Sequence, residues 1–371
     1  MSIPLYQKIY DDIFESLKSG ELVPGDRVMS EKELARDYGV SRITSKKALE
    51  MLAQNGYIKR MPGRGSFVQF APGSSAKGGG RRWKIGVVMD SIKNVFGPGI
   101  LLTIEGVAES KDFFLVPRFA YGRRDMEEKA IQSLMNFGVD GIILMTSHSE
   151  DITPSLMKLV LNKTPLVLVD RFLTGIPAPF VGTDNFGSTV KATDYLLNLG
   201  HRNISFVTRP YQNTMTIENR VDGFVRSHAE HGVAIDESKW VTDIMSIQPG
   251  QNSEESVRND ICKIKHVLIS NKDLTCFFAA EHSVAVLIRK AVEEMNLRIP
   301  EDISVLCFDG SINSVGDSPF THVAQDEQKI GLTAIQLLMD QIEKNIDRSD
   351  QKVFCDAQLV IGESTAIPRK K

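Results

Sequence analysis

The sequence predicts two unlike folds in one chain. A small α+β head occupies residues 1–70, and a two-lobed α/β body built on parallel sheets occupies 84–371. Three observations predict this. The run from Ala71 to Gly80 is dense in Gly, Ser and Pro and is crossed by no hydrophobic periodicity, so 71–83 reads as a flexible linker. Before it, short apolar stripes at helical spacing lead into a Gly-rich basic hairpin. After it, apolar strand-like runs alternate with helical ones, the rhythm of parallel strands with helices on both faces. At 371 residues, 42% hydrophobic and 25% charged, the chain can bury a core in each of two or three domains.

Charge divides along the same boundary. The total is 44 Lys and Arg against 47 Asp and Glu, yet residues 1–84 hold 15 basic and 9 acidic side chains, and the remainder 29 and 38. Within 41–84 ten cations face the single acid Glu50. A polyanion-binding head on an acidic body accounts for that asymmetry. The four cysteines, Cys262, Cys276, Cys307 and Cys355, form no CxxC pair. This argues against a disulfide scaffold, a zinc ribbon or a dithiol redox site, and three of them read as small core residues. No apolar run nears the ~20 residues of a membrane span. The first residues meet Asp11 and Asp12 and lack a secretory pattern, so a cytoplasmic protein without membrane contact is expected.

In the head, Leu5, Ile9, Ile13, Phe14 and Leu17 recur at three and four, predicting an amphipathic helix that ends at Gly20. Pro24-Gly25-Asp26 makes a turn. Ser30 followed by Glu33 is a capping-box pattern opening a short helix to Tyr38, and Gly39 supplies a left-handed turn. Ser41 caps the next helix, whose Ala48, Leu49 and Leu52 face inward. Two short segments, 57–60 and 66–69, flank Met61-Pro62-Gly63-Arg64-Gly65 as a hairpin. Two short helices joined at a glycine and followed by a basic hairpin describe a winged helix-turn-helix. Its second helix would enter the major groove of DNA, offering Arg42, Thr44 and Lys46 to base edges and phosphates. Arg64 at the hairpin tip would reach the minor groove or backbone.

These stretches together resemble the GntR family of bacterial regulators over residues 4–68. The resemblance implies DNA contacts at Lys32, Ser41, Arg42, Thr44, Lys46, Gly63 and Arg64. Two residues depart from the family pattern. Met29 stands in place of a usual Pro and should alter only the helix start. Ser45 stands in place of a common buried Val and should loosen the packing of the DNA-reading helix.

In the body, strand-like runs fall at 84–90, 113–119, 139–145, 165–170, 203–208, 274–279 and 303–309, with helical stretches at 126–137, 187–199 and 283–295 among them. The motifs Ile85-Gly86-Val87-Val88, Val169-Asp170-Arg171, Val181-Gly182-Thr183-Asp184, Gly200-His201-Arg202 and Arg220-Val221-Asp222-Gly223-Phe224 carry a second resemblance. It is to the effector core of the lac-repressor/galactose-repressor family, which is similar to periplasmic sugar-binding proteins. Joined to a GntR-type head, such a core resembles the arabinose repressors of Gram-positive bacteria.

The second resemblance implies an effector cleft at strand ends between two lobes, in keeping with the general placement of ligands in open α/β sheets. One lobe is expected at about 84–184 plus 327–346, the other at about 185–326 plus 347–371. The candidate effector residues are Asn94, Phe96, His148, Asp170, Arg171, Arg220, Glu281 and Asp309. Glu281-His282 replaces the family's usual Asn-Asp. Neither cofactor nor metal is expected. His228-x-x-His231 has no third ligand nearby, and there is no nucleophile elbow, Walker loop or Schiff-base lysine motif. The expectation is a non-enzymatic homodimer on a palindromic operator, a repressor released by a small sugar, with a pentose such as L-arabinose implied by resemblance. The alternative is a ligand-activated activator of the same architecture.

Overall fold

The computed structural model describes residues 4–19, 21–23, 25–55, 57–61, 64–68, 82–92, 95–146, 152–212, 214–310 and 320–369. Gly20, Pro24, Gly63, Asn94 and His148, together with the linker 71–80, lie outside the described residues. The chain divides into two units between Arg82 and Trp83.

The first unit contains α1 (Leu5–Ser19), β1 (Arg27–Val28), α2 (Glu31–Asp37), α3 (Arg42–Gln54), β2 (Ile58–Met61) and β3 (Gly65–Val68). The α1 stripe buries Ile9, Ile13 and Leu17, while Leu5 at its start stays exposed. Ser30 and Glu33 form the capping box, so α2 starts normally beside Met29. Gly39 turns with φ +62°, a conformation that costs glycine nothing, and Ser41 then caps α3. β2 and β3 pair antiparallel as the hairpin, and β1, too short to be legible as a strand, adds to β3.

Ser45 corrects the expectation of a loosened helix. It is fully buried, and its hydroxyl donates to the carbonyls of Glu31, at 2.8 Å, and Arg42, at 3.1 Å. A polar link thus ties α3 to the first turn of α2.

The second unit holds two sheets. The first has six parallel strands in the order β13–β8–β7–β6–β4–β5: β4 (Trp83–Met89), β5 (Phe113–Phe119), β6 (Gly141–Leu144), β7 (Leu166–Val169), β8 (Phe180–Thr183) and β13 (Lys352–Cys355). The helices α4 (Pro98–Gly106), α5 (Arg124–Phe137), α6 (Pro154–Leu161) and α11 (Glu327–Lys344) belong to this lobe. The second sheet runs β14–β12–β11–β10–β9, from β9 (Ile204–Val207), β10 (Cys276–Ala279), β11 (Ser304–Phe308), β12 (Thr321–Ala324) and β14 (Gln358–Val360), with β14 alone antiparallel. It carries α7 (Asn185–Asn198), α8 (Met215–Glu230), α9 (Glu254–Ser270) and α10 (His282–Glu294).

Strand residues alternate between two apolar clusters on each sheet. Val87 and Ile143 face one side of the first sheet, Val88 and Ile142 the other. In the second sheet Phe206, Phe278 and Phe308 share a face with Phe224 of α8, and Phe206 stacks on Phe278 at 5.4 Å. Cys276, Cys307 and Cys355 are buried, and Cys262 is exposed.

Among the described residues the chain passes between the sheets around 184, 325–326 and 356–357. The last passage differs from the expected lobe boundary at 347. Residues 352–355 pair with 180–183 and so stay with the first lobe. β13 is short and mostly not buried, so it lacks the continuous apolar run that marks β6, β7, β9 and β10. His201 lies just past the end of α7. It is buried, meeting the Thr275 hydroxyl at 2.9 Å and donating to the Ala366 carbonyl at 2.9 Å, and burial lowers its pKa to about 4. Among the described residues no helix is long and apolar enough to cross a membrane.

Ser45→Ala removes the donor that joins α2 to α3. The expected loss is about 1 kcal/mol, read in scanning calorimetry as a fall of roughly 4–8 °C in the head's transition. An unchanged transition would mean that the hydroxyl is not a structural link.

Candidate functional site

Two sets of side chains stand out, one in each unit. In the head, Ser41 caps α3 by accepting from the Thr44 amide at 3.2 Å, and the two hydroxyls lie 2.9 Å apart. Arg42, Lys46 and Lys32 are exposed and Thr44 is half-buried. Lys46 lies 3.8 Å from Glu50. Arg64 is exposed beside β3. The sequence reading missed Arg60. From β2 it pairs with Glu31 of α2 and, at 3.7 Å, with Glu50 of α3, so it fixes the hairpin to both helices.

In the body, the site grows from the carboxyl ends of β7 and β11. Asp170 follows β7 with φ +68°, and Asp309 follows β11 with φ +62°. Each peptide N–H donates to the next strand, to Val181 at 3.0 Å and Val323 at 2.9 Å. Left-handed backbone at a residue bearing a side chain costs about 1 kcal/mol or more and collects at functional sites, with Asp among the types that tolerate it. The two lobes thus present one strand-end aspartate each.

Arg220 of α8 stands between them. It is 4% exposed. Its Nε donates to Asn185 Oδ1 at 2.8 Å, its Nη1 to the Ala280 carbonyl at 2.6 Å, and its guanidinium lies 3.7 Å from the Phe308 ring centroid. Gly223, one turn on, explains the reach. A Cβ there would meet the Phe186 carbonyl at 2.6 Å, so glycine lets α8 press on α7 until Arg220 meets Asn185. Asn185 also donates to the Thr183 carbonyl at 3.2 Å. The Thr183 hydroxyl donates to Gln325 Oε1 at 2.6 Å, and Gln325 Nε2 donates to Asp309 at 2.9 Å. A run of hydrogen bonds through Gln325, Thr183 and Asn185 therefore joins Asp309 to Arg220 across two of the passages between lobes.

The charges of these groups act on one another. Burial raises the Asp170 carboxyl. Arg171, 3.9 Å away, and Arg220 pull it down, and Asp90 and Glu281 push it up. Asp309 is raised to about 6, by burial first and against the pull of Arg220 and Gln325. Burial lowers Arg220, opposed by Asp309, Glu281 and Asp170. Glu281 sits at the N-cap position of α10, but its carboxylate turns to Arg209 at 3.1 Å instead of capping the helix.

The structure thus gathers Asp170, Arg171, Arg220, Glu281 and Asp309. Phe96 is half-buried against the first lobe's core. The reading from sequence missed Arg209, Asn185, Thr183 and Gln325. Position just after β9 was the available signal for Arg209, since ligands collect at strand carboxyl ends. Alternating carboxylates and guanidiniums suit neighbouring hydroxyls, each of which both donates and accepts. His228 donates to the Phe224 carbonyl at 2.9 Å and His231 to the Ser227 carbonyl at 3.0 Å. Among the described residues no cluster of His, Cys, Asp or Glu is arranged to hold a metal ion.

A capped helix-turn-helix with a hairpin wing, carried with a two-lobed α/β body, defines a DNA-binding transcription regulator of two domains. Comparison with known proteins gives the particulars. Residues 5–68 match the model for bacterial regulatory proteins of the gntR family, and residues 193–365 match that for a periplasmic binding protein-like domain. The chain therefore joins a gntR-type DNA-binding domain to a periplasmic-binding-protein-like domain. It is similar to the arabinose metabolism transcriptional repressor of Halalkalibacterium halodurans, 23% identical over 370 residues, covering 97% of this chain and 96% of that one. The fold matches a LacI family transcriptional regulator from Enterococcus faecium with bound ribose, with TM-score 0.63 and 23% identity over 77% of this chain and all of that one. It also matches the regulator CelR in complex with cellobiose, with TM-score 0.64 and 21% identity over 91% of this chain and all of that one.

The Asp309 shift sets the sign of a pH effect. A carboxyl raised from an ordinary 3.8 to about 6 favours the folded state below its ordinary value, and that stability is lost as pH rises through about 6. Asp309→Asn should flatten the pH profile of effector-free thermal stability between about 4 and 6, removing on the order of 3 kcal/mol of slope. A profile as steep as that of the unaltered protein would place the titration elsewhere.

Proposed function

We propose that the protein is a transcriptional repressor that binds a palindromic operator as a homodimer and is released by a sugar bound between the two lobes of its body. The observation that carries this reading is the Asp170–Arg220–Asp309 constellation at the strand ends, in a chain that also bears a capped, basic DNA-reading helix. Repression and a pentose such as L-arabinose are supported by the name of the end-to-end relative. Ribose and cellobiose in two receptors of the same fold support the wider class, a neutral sugar.

On DNA, Arg42 makes the bidentate contact to guanine, Thr44 and Lys46 contact base edge or phosphate, and Lys32, Ser41, Gly63 and Arg64 hold the backbone. In the cleft, Asp170, Arg171, Arg220, Glu281 and Asp309 divide the sugar hydroxyls between the lobes, and Asn94, Phe96 and His148 are further candidate contacts. Binding shifts the lobes only by the difference in affinity between open and closed forms. The Asp309–Gln325–Thr183–Asn185–Arg220 run crosses the hinge and is the element such closure would bias. Leu102 on α4 and Phe114 on β5, 70% and 54% exposed, offer apolar surface that a second copy would cover. The proposed compartment is the cytoplasm.

Arg42→Ala should cost about 1–3 kcal/mol of specific binding and relax the preferred sequence, measured by anisotropy and by selection from random DNA. Unchanged affinity and selectivity would remove Arg42 from the base-reading set. Asp170→Asn should weaken sugar binding in calorimetry by roughly tenfold or more while leaving effector-free operator affinity intact. Loss of operator binding instead would make Asp170 structural.

A further inference from the structure

The outward face of α3 is basic except at its centre. Ile43, the second residue of the helix, is 79% exposed, more than any other large hydrophobic among the described residues. The opposite side of α3 buries Ser45, Ala48, Leu49 and Leu52. At about 100° per residue, that stripe is centred roughly 170° round the helix from Ile43. Lys46 and Lys47, three and four residues on, occupy the same face and are exposed. Arg42 and Thr44 stand to either side. Ile43 is thus the side chain aimed most directly away from the head's core, in the first turn of the helix, the part that meets base edges in helix-turn-helix proteins.

Neither helix formation nor solubility favours isoleucine there. A β-branched residue is a mediocre helix former, and an exposed one among cations leaves its apolar surface in water. On a DNA major groove, one base-edge feature is apolar, the C5-methyl of thymine. We propose that Ile43 is a specificity-determining residue that reads a thymine by packing on its C5-methyl. The inference rests on α3 being the DNA-reading helix. Ile43 then adds a second kind of readout beside Arg42. The arginine selects by hydrogen-bond pattern, whereas the isoleucine selects by burying a methyl that cytosine and the purines lack. The stiff χ1 of isoleucine holds its branched end in one orientation, so little rotamer freedom is lost on contact.

The test begins with the operator that the full chain selects from random DNA. Each thymine is then replaced singly by deoxyuridine, which deletes the methyl and nothing else. The expected result is one thymine in each half-site where the replacement weakens wild-type binding roughly fourfold, the worth of one buried methyl-sized group. At that position Ile43→Ala should bind both DNAs alike, with about the affinity of wild type for the deoxyuridine operator. Ile43→Val should keep part of the discrimination. The side chain is exposed, so unchanged melting of both variants is expected and excludes a folding defect. Selective binding by wild type with no thymine sensitive to methyl removal would overturn the proposal. So would an Ile43→Ala protein that responds to every replacement as wild type does. If wild type selects no sequence at all, the DNA-reading assignment fails first, at a stage that precedes any deoxyuridine measurement.

Discussion

The buried guanidinium of Arg220 is the constraint on which the body depends. A cation taken out of water costs several kcal/mol unless it is met by hydrogen bonds and opposite charge. Arg220 is met on all sides, by Asn185, by the Ala280 carbonyl, by the face of Phe308, and by the field of Asp170, Asp309 and Glu281. Each of these partners fixes something larger. Asn185 opens α7 at the first passage between lobes, Ala280 follows β10, and Phe308 ends β11. Satisfying one charge therefore ties the start of α7 to the carboxyl ends of two strands, and Gly223 supplies the close helix approach that makes it reachable.

The same constraint shapes the chemistry. Two aspartates in left-handed backbone are turned toward one guanidinium from opposite lobes, and burial raises both carboxyls. Asp309, raised to about 6, can donate as well as accept when the pH is near that value. The hydrogen bonds that run from Asp309 to Arg220 pass through Gln325, Thr183 and Asn185. That run crosses two of the passages between the lobes. Glu327 extends the linkage. As the first residue of α11, it accepts from the Gly97 and Ile100 amides at 2.9 and 3.1 Å and caps α4, which has no side-chain cap of its own.

Much of this was legible in the sequence where local chemistry decides structure. Ser30 with Glu33, Gly39 and Ser41 specify caps and a turn within a few residues, and the structure has each of them. The long apolar runs at 84–90 and 303–309 emerged as strands because burial on both faces leaves a continuous hydrophobic signal. What stayed hidden was long-range. Nothing near Ser45 in sequence announces a carbonyl acceptor at Glu31, and nothing near Lys352–Cys355 announces a pairing with β8. The cleft divides the same way. Asp170 and Arg220 stand in motifs and Asp309 ends a strand-like run, whereas Gln325 and Thr183 meet across 142 residues of sequence, and Arg209, placed just after β9, has its partner Glu281 72 residues away.

The central claim is that a sugar held at the Arg220 seam releases the head from DNA. The most direct test is fluorescence anisotropy of the full chain on its own upstream DNA while a panel of pentoses, hexoses and disaccharides is added singly. The account predicts tight, salt-sensitive binding without sugar, reversed by one sugar or a narrow set of them. DNA binding that arises only when sugar is present, or that no sugar alters, would contradict it.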